Sequence, residues 1–103
     1  MIGAWFVAFV ITCSVELVIL RVLAPRRHWL PVGFAAQLAT HPLAVTLMVT
    51  LPGLPLLRLA AIELGVTLAE AAIYARWLRL PRSEALRVAA LANAGSLIAA
   101  ALL

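Results

Sequence analysis

The fold is decided by residues 59–74, which read LAAIELGVTLAEAAIY. The polar side chains of this apolar segment recur at intervals of four, three and four residues, and they are Glu63, Thr67, Glu70 and Tyr74. At about 100° per residue, this spacing predicts a helix with one polar stripe and apolar residues elsewhere. A charged side chain at the centre of a bilayer costs about 2.5–3.5 kcal/mol on insertion scales. The segment therefore predicts a membrane helix whose polar stripe faces other helices.

The composition of the whole chain is that of an integral membrane protein. Of its 103 residues, 66% are hydrophobic and 12% are charged, whereas soluble domains are about 25% charged. No polar segment is long enough to form a separate soluble domain, so we expect residues 1–103 to form a single membrane domain. The net charge of +4 comes from eight arginines and no lysine. Because no aromatic-basic surface or DNA-reading motif accompanies them, nucleic acid is not an expected partner.

Four apolar segments are long enough to cross a hydrocarbon core of about 30 Å, which takes about 20 helical residues. They are residues 3–23, 30–51, 56–78 and 84–103. The turns between them are short and contain proline, so consecutive helices are expected to be antiparallel. The predicted fold class is an all-α membrane protein, an antiparallel bundle of four transmembrane helices.

The distribution of arginine predicts the orientation of this bundle. Seven of the eight arginines flank the first and third turns, residues 24–29 and 79–83, which lie at the same end of the bundle. The eighth, Arg58, lies near the opposite end. Cytoplasmic turns of membrane proteins carry an excess of basic residues. We therefore expect both basic turns to face the cytoplasm, both termini to lie on the non-cytoplasmic side, and the protein to be integral to the cytoplasmic (inner) membrane.

Each predicted helix carries polar side chains within its apolar stretch. With a rise of about 1.5 Å per residue, these side chains are expected to meet around one internal axis, because lipid cannot satisfy them. The candidate proton- or cation-binding residues are Glu16, His41, Glu70 and Glu63. The expected supporting polar residues are Gln37, Thr40, Thr67, Tyr74 and Asn93.

Two interpretations of these polar residues remain open. Carboxyl groups buried close together retain a proton more readily than exposed ones, and His41 is the natural partner for a shared proton. Alternatively, the polar residues only hold the helices together, at about 0.6–2 kcal/mol per hydrogen bond. Glu63 can also pair with Arg58, which lies five residues earlier, near the outer surface.

Other sequence features bear on a hinge and on cofactors. Pro42 lacks a backbone donor, so we expect the second helix to kink there and act as a hinge. No pair of His, Cys or Glu residues has the local spacing of a metal site, so the sequence leaves a metal undetermined. No cofactor is predicted, and binding of a metal ion or pigment near His41 stays open. The sequence contains no hydrolase motif, so an enzyme is not expected.

Small residues recur at intervals of four on two of the helices, which is typical of helix–helix contact faces in membranes. These faces predict a homo-oligomer or a larger membrane complex. Their members are Ala61, Gly65, Ala69, Ala92, Ser96 and Ala100.

The chain resembles two kinds of small membrane protein. The pattern of residues 37–42, QLATHP, with Glu63, Glu70 and Tyr74 and then Asn93 with Ser96, resembles a group of small four-helix polytopic membrane proteins of uncharacterised function. In length, helix number and the position of Glu16 midway along the first helix, the chain is also similar to the small multidrug resistance transporters. It departs from that family in lacking a Gly-Trp turn pattern and in carrying extra acids in the third helix.

Three function classes follow from these observations. The expected function is that of an accessory or assembly subunit of a membrane complex, in which the Glu/His/Gln cluster is internal. The alternative is a small homo-oligomeric transporter coupled to protons or cations, which uses Glu16, His41 and Glu70. An intramembrane enzyme or pigment-binding subunit is the third class, and a single histidine in the membrane core gives it little support.

Overall fold

A computed structural model describes residues 2–102, apart from the side chains of Ile2, Ala4 and Trp5. Met1 and Leu103, the ends of the expected domain, lie outside the described residues. The prediction of an all-helical chain with four helices is confirmed. The helices are α1 (Ile2–Leu23), α2 (Trp29–Thr50), α3 (Pro55–Trp77) and α4 (Arg82–Leu102).

The turns at one end of the bundle contain unusual backbone. His28 and Arg79 adopt left-handed conformations with φ of 66° and 56°, which cost about 1–2 kcal/mol for residues other than glycine. In the turn at the other end, Gly53 has a φ of 114°, which glycine adopts freely. Pro55 then begins α3 at a position where the missing N–H has no intrahelical partner to lose.

The four helices are arranged as a ring. α1 packs against α2 and α4, and α3 packs against the same two helices, so α1 and α3 are diagonal to each other. Two glycines allow α1 to approach its neighbours closely. A Cβ atom on Gly33 of α2 would lie 2.7 Å from Leu17 Cδ2, and one on Gly95 of α4 would lie 2.6 Å from Ile19 Cδ1.

The tightest packing lies at the end of the bundle that carries the basic turns. Leu20, Tyr74 and Val88 are fully buried there, and Leu78 and Leu80, both between the end of α3 and the start of α4, are almost fully buried. The hydrophobic core is therefore concentrated at this end, and the opposite end is more open.

Three helices are long and apolar enough to cross a membrane, over Phe6–Leu23, Trp29–Thr50 and Arg82–Leu102. The helix α3 has 23 residues, but Arg58, Glu63, Glu70 and Arg76 make it less apolar. Large apolar side chains such as Leu56 and Val49 are exposed on the outside of the bundle, each at 79%. Contiguous apolar surface of this kind marks contact with a membrane or a partner.

The helix α2 continues through Pro42 without a break. Thr46 Oγ1 donates a hydrogen bond of 2.8 Å to the Pro42 carbonyl in the next turn. The proline therefore lies inside a single helix, and the hinge expected at this position remains a prediction.

Candidate polar site between the helices

Gln37 joins the two most deeply buried acids. Its amide nitrogen Nε2 donates to Glu16 Oε1 at 2.8 Å and to Glu70 Oε2 at 2.7 Å. Both hydrogens of this amide are thus used, one toward α1 and one toward α3. Because α1 and α3 are diagonal in the ring, a side chain from α2 connects helices that do not pack against each other.

Asn93 brings the fourth helix into the same cluster. Its Nδ2 donates to Glu70 Oε1 at 2.7 Å and to the Ala89 carbonyl of its own helix at 2.9 Å. Ser96 Oγ donates in turn to the Asn93 carbonyl at 3.0 Å. We refer to Glu16, Gln37, Glu70 and Asn93 as the polar layer, because they contribute one side chain from each helix.

The contacts of Thr40 show which hydrogen atoms are available for hydrogen bonds in the polar layer. Its single hydroxyl hydrogen is directed to the Ala36 carbonyl at 2.8 Å, and its Oγ1 lies 3.2 Å from Glu70 Oε2. A carbonyl can only accept a hydrogen bond, so the Ala36 contact uses the hydroxyl hydrogen. The contact with Glu70 becomes a hydrogen bond when the Glu70 carboxyl group carries a proton and donates it.

Glu16 and Glu70 are buried close together in the polar layer. Glu70 is fully buried and Glu16 is 2% exposed, and one oxygen of each carboxyl group lies within 2.8 Å of the same nitrogen, Gln37 Nε2. None of the arginines among residues 2–102 forms an ion pair with either acid. Two carboxylates at such a distance repel each other strongly in a low-dielectric interior, and a single shared proton removes most of that repulsion.

Tyr74 borders the polar layer on the side of the basic turns. Its side chain is fully buried, and its hydroxyl lies near Gln37 without a well-formed hydrogen bond. A buried hydroxyl in this position is a donor close to the acids.

A cavity of about 290 Å³ lies on the other side of the polar layer, toward the turn that joins α2 and α3. Glu16, Gln37 and Asn93 line its floor. Its rim includes Val49 and Ala100, which are both exposed. The two sides of the polar layer therefore differ, with packed side chains toward the basic turns and open space toward the opposite end.

His41 and Glu63 lie on the walls of this cavity and not in the polar layer. The His41 ring is tilted by 60° against the Phe9 ring of α1, with the ring centroids 5.1 Å apart. Glu63 is half-buried. The structure thus brings together Glu16 and Glu70 from the predicted candidates, and places His41 and Glu63 beside them on the cavity walls. Thr67, on the same helix as Glu63, is half-buried and lines neither the floor nor the walls.

The expected pairing of Glu63 with Arg58 is wrong. Arg58 Nη1 instead donates to the Leu51 carbonyl at 2.9 Å, at the carboxyl end of α2. A cation is stabilised at this end of a helix by the partial negative charge of the unpaired carbonyl groups. Arg58 therefore caps α2 across the short turn, and Glu63 remains available to the cavity.

Two members of the predicted small-residue faces also need correction. Ala92 and Ser96 are buried inside the bundle, so they are not available to a second molecule. Ala61, Gly65 and Ala69 are exposed on α3, and Ala100 is exposed at the cavity rim. A Cβ atom on Gly65 would meet nothing within 4 Å.

The candidate metal and pigment roles find no built site in the part of the chain that the structure describes. Among those residues, no three His, Cys, Asp or Glu side chains converge as metal ligands. The His41 ring packs against the Phe9 ring in a tilted arrangement, and no second histidine lines the cavity.

Comparison of the chain with protein-family models, with curated proteins and with solved structures finds no match. The function therefore has to be argued from the polar layer, the cavity and the outer surface.

Proposed function

We propose that all four helices span the cytoplasmic (inner) membrane, with the turns 24–29 and 79–83 on the cytoplasmic side and both termini on the opposite side. The polar stripe of α3 faces the interior of the bundle, which removes its main cost in lipid. Two arginine–tryptophan pairs also support a membrane–water interface at the end of the bundle that carries these turns. Arg21 lies 5.7 Å from the centre of the Trp29 ring, and Arg76 lies 5.5 Å from the centre of the Trp77 ring. Tryptophan and arginine side chains are typical of the membrane–water interface.

Within this membrane, the protein acts as an accessory or assembly subunit of a larger complex. The observation that carries this proposal is the closed polar layer. Glu70 accepts hydrogen bonds from Gln37 and Asn93 and is fully buried. An acid that is enclosed in this way stabilises the bundle, and it is not exposed to a substrate.

The partner surface of this subunit is the groove between α2 and α3, with a volume of about 280 Å³. Gly65 lies in its wall together with Ala61 and Ala69, opposite Leu43 and Leu47. Small residues let another membrane helix approach closely, and this contact is driven by van der Waals packing. The groove therefore supports a transmembrane helix of another subunit as the partner.

Gly65→Leu is expected to remove the protein from its native assembly without unfolding it. The leucine would enter the open space of the groove, where an added Cβ atom meets nothing within 4 Å, and would block an approaching helix. In native membranes solubilised with digitonin, we expect the wild-type chain of 11.0 kDa to migrate in a much larger complex, and the variant to migrate alone. Ala60→Leu, at an exposed position outside the groove, is the control and should stay in the complex.

Two results would contradict this proposal. If Gly65→Leu remains in the complex, the groove is not the contact. If the purified wild-type chain forms a stable homo-oligomer of fixed mass, the accessory role is wrong and the chain assembles with itself.

Proton-coupled transport is the second candidate, and the cavity next to Glu16 is the observation that favours it. The cavity gives one acid of the polar layer a route to the outer side. A carrier would also need a second state in which the layer opens toward the basic turns.

The two candidates differ in how fast the buried proton exchanges. At pH 7 we expect an infrared carboxylic-acid carbonyl band that is reduced in Glu16→Gln or in Glu70→Gln and unchanged in Glu84→Gln. A structural layer predicts that this band shifts slowly in D₂O, whereas a transport site predicts a shift within seconds. The absence of any protonated carboxyl band would show that both acids are ionised, contrary to the shared proton.

A further inference from the structure

We propose that the cavity binds a small amphipathic ammonium ion, a protonated amine with a short apolar group, and that the Glu63 carboxylate holds its charged end. This inference goes beyond the accessory role and depends only on the cavity and on Glu63. It adds a ligand site in the outer half of the bundle, separate from the polar layer.

The charges of the cavity favour a cation. Its titratable lining residues are two acids, Glu16 and Glu63, and one histidine, His41, and no arginine lines it. Glu16 already accepts a hydrogen bond from Gln37, whereas the carboxylate of Glu63 receives no hydrogen bond or ion pair from the described side chains. Since Arg58 binds the Leu51 carbonyl, the nearest cation along the chain does not neutralise Glu63. A half-buried carboxylate without a partner is a strong acceptor for a positively charged ligand.

The remaining walls favour a ligand with an apolar part. Val45 and Met48 of α2, Val66 of α3 and Leu97 of α4 face the cavity. Small-molecule sites are mostly apolar with a few polar groups that fix the orientation, and they start at about 300 Å³. The cavity is close to that lower bound, so the ligand is small. A bare metal ion is disfavoured, because no three ligating side chains converge among the described residues.

The direction of access follows from the position of the rim. Val49 and Ala100 are exposed at the end of the bundle opposite the basic turns. The ligand therefore enters from the non-cytoplasmic side in the proposed orientation. The polar layer, which forms the floor, blocks its further passage toward the basic turns.

The test uses the full chain in nanodiscs of phosphatidylcholine at pH 7, with 4-fluorobenzylamine as the probe and fluorine NMR as the readout. We expect saturable binding of this amine, with empty nanodiscs as the background. The neutral isostere 4-fluorobenzyl alcohol and the anion 4-fluorobenzoate should bind at least about tenfold more weakly, because a hydrogen bond to a charged group is worth about 1.5–3 kcal/mol.

Two variants and one control locate the site. Glu63→Gln should weaken amine binding about tenfold or more, and Ala44→Leu, which fills the cavity wall, should weaken both the amine and the alcohol. Glu84→Gln, near the basic turns, should bind like the wild type. Helical circular dichroism verifies that each variant is folded.

The proposal is overturned if the alcohol binds as tightly as the amine, or if folded Glu63→Gln binds the amine with wild-type affinity. It is also overturned if the wild-type chain shows no saturable binding above empty nanodiscs. These results do not depend on whether Gly65→Leu leaves the native assembly, so failure of this inference and failure of the accessory role can be distinguished.

Discussion

Glu70→Ala is expected to destabilise the bundle by about 2–5 kcal/mol, the largest effect of any single substitution in this chain. The change removes hydrogen bonds from Gln37 and Asn93 and the contact with Thr40. Hydrogen bonds between membrane helices average about 0.6 kcal/mol and reach about 1.7 kcal/mol. The space left by the truncated side chain adds a further cost, because Glu70 is fully buried. Reversible unfolding in dodecyl sulfate, followed by circular dichroism in mixed micelles, measures the free energy.

Glu63→Ala is the matched control for this experiment. It removes an acid from the same helix, but from the cavity wall, where truncation only enlarges an existing cavity and creates no new one. We expect a change below about 1 kcal/mol. Equal losses for both variants would contradict the assignment of Glu70 to a stabilising layer. Glu70→Gln should fall between them, because its amide keeps the shape but places a donor opposite the donors of the layer.

Gln37→Leu is expected to have the second largest effect, a loss of about 2–3 kcal/mol. Leucine cannot donate, so Glu16 and Glu70 lose their common partner and face each other across a buried gap. A buried polar group left without a partner costs about 1–3 kcal/mol. The same dodecyl sulfate titration measures this loss.

The triple variant with leucine at positions 16, 37 and 70 provides the sharper comparison. Asn93 still donates to the Ala89 carbonyl, and Thr40 still donates to the Ala36 carbonyl. Only one hydrogen of the Asn93 amide then loses its acceptor, whereas Gln37→Leu leaves two buried acids without their common partner. We therefore expect the triple variant to be more stable than Gln37→Leu alone. Additive losses from the three positions would show that the side chains act independently.

Much of this arrangement can be predicted from the sequence, because the side chains of a helix recur with a regular period. The spacing of Glu63, Thr67, Glu70 and Tyr74 predicts one polar face, and short turns with proline leave few ways to connect the helices. The expected meeting of Glu16, Gln37 and Glu70 depends on equal depth, which follows from the regular rise of a helix. The four helices and their antiparallel order could therefore be predicted from single residues and spacings.

Other features depend on side-chain packing in three dimensions, which periodicity does not describe. The stripe that carries Glu70 into the layer also carries Glu63, yet Glu63 lies on a cavity wall seven residues away along α3. Arg58 reaches a carbonyl of α2, a contact that no sequence spacing indicates. Ala92 and Ser96 have the same spacing as a contact face for another chain, but they serve the contacts within this one.

The hydrogen bonds of the polar layer join the helices in the order in which they are synthesised. Glu16 binds Gln37, Gln37 binds Glu70, and Glu70 binds Asn93, so each bond joins a helix to the one that leaves the ribosome next. The first helix contains one of the most apolar candidate spans and can enter the lipid with a lone acid. In the proposed membrane topology, the third helix, which is too polar to qualify as a span by its own composition, arrives after a partner for its glutamate is already in the membrane. Insertion and assembly of this bundle can thus proceed together, one helix at a time, because each new helix forms a hydrogen bond with the helix before it.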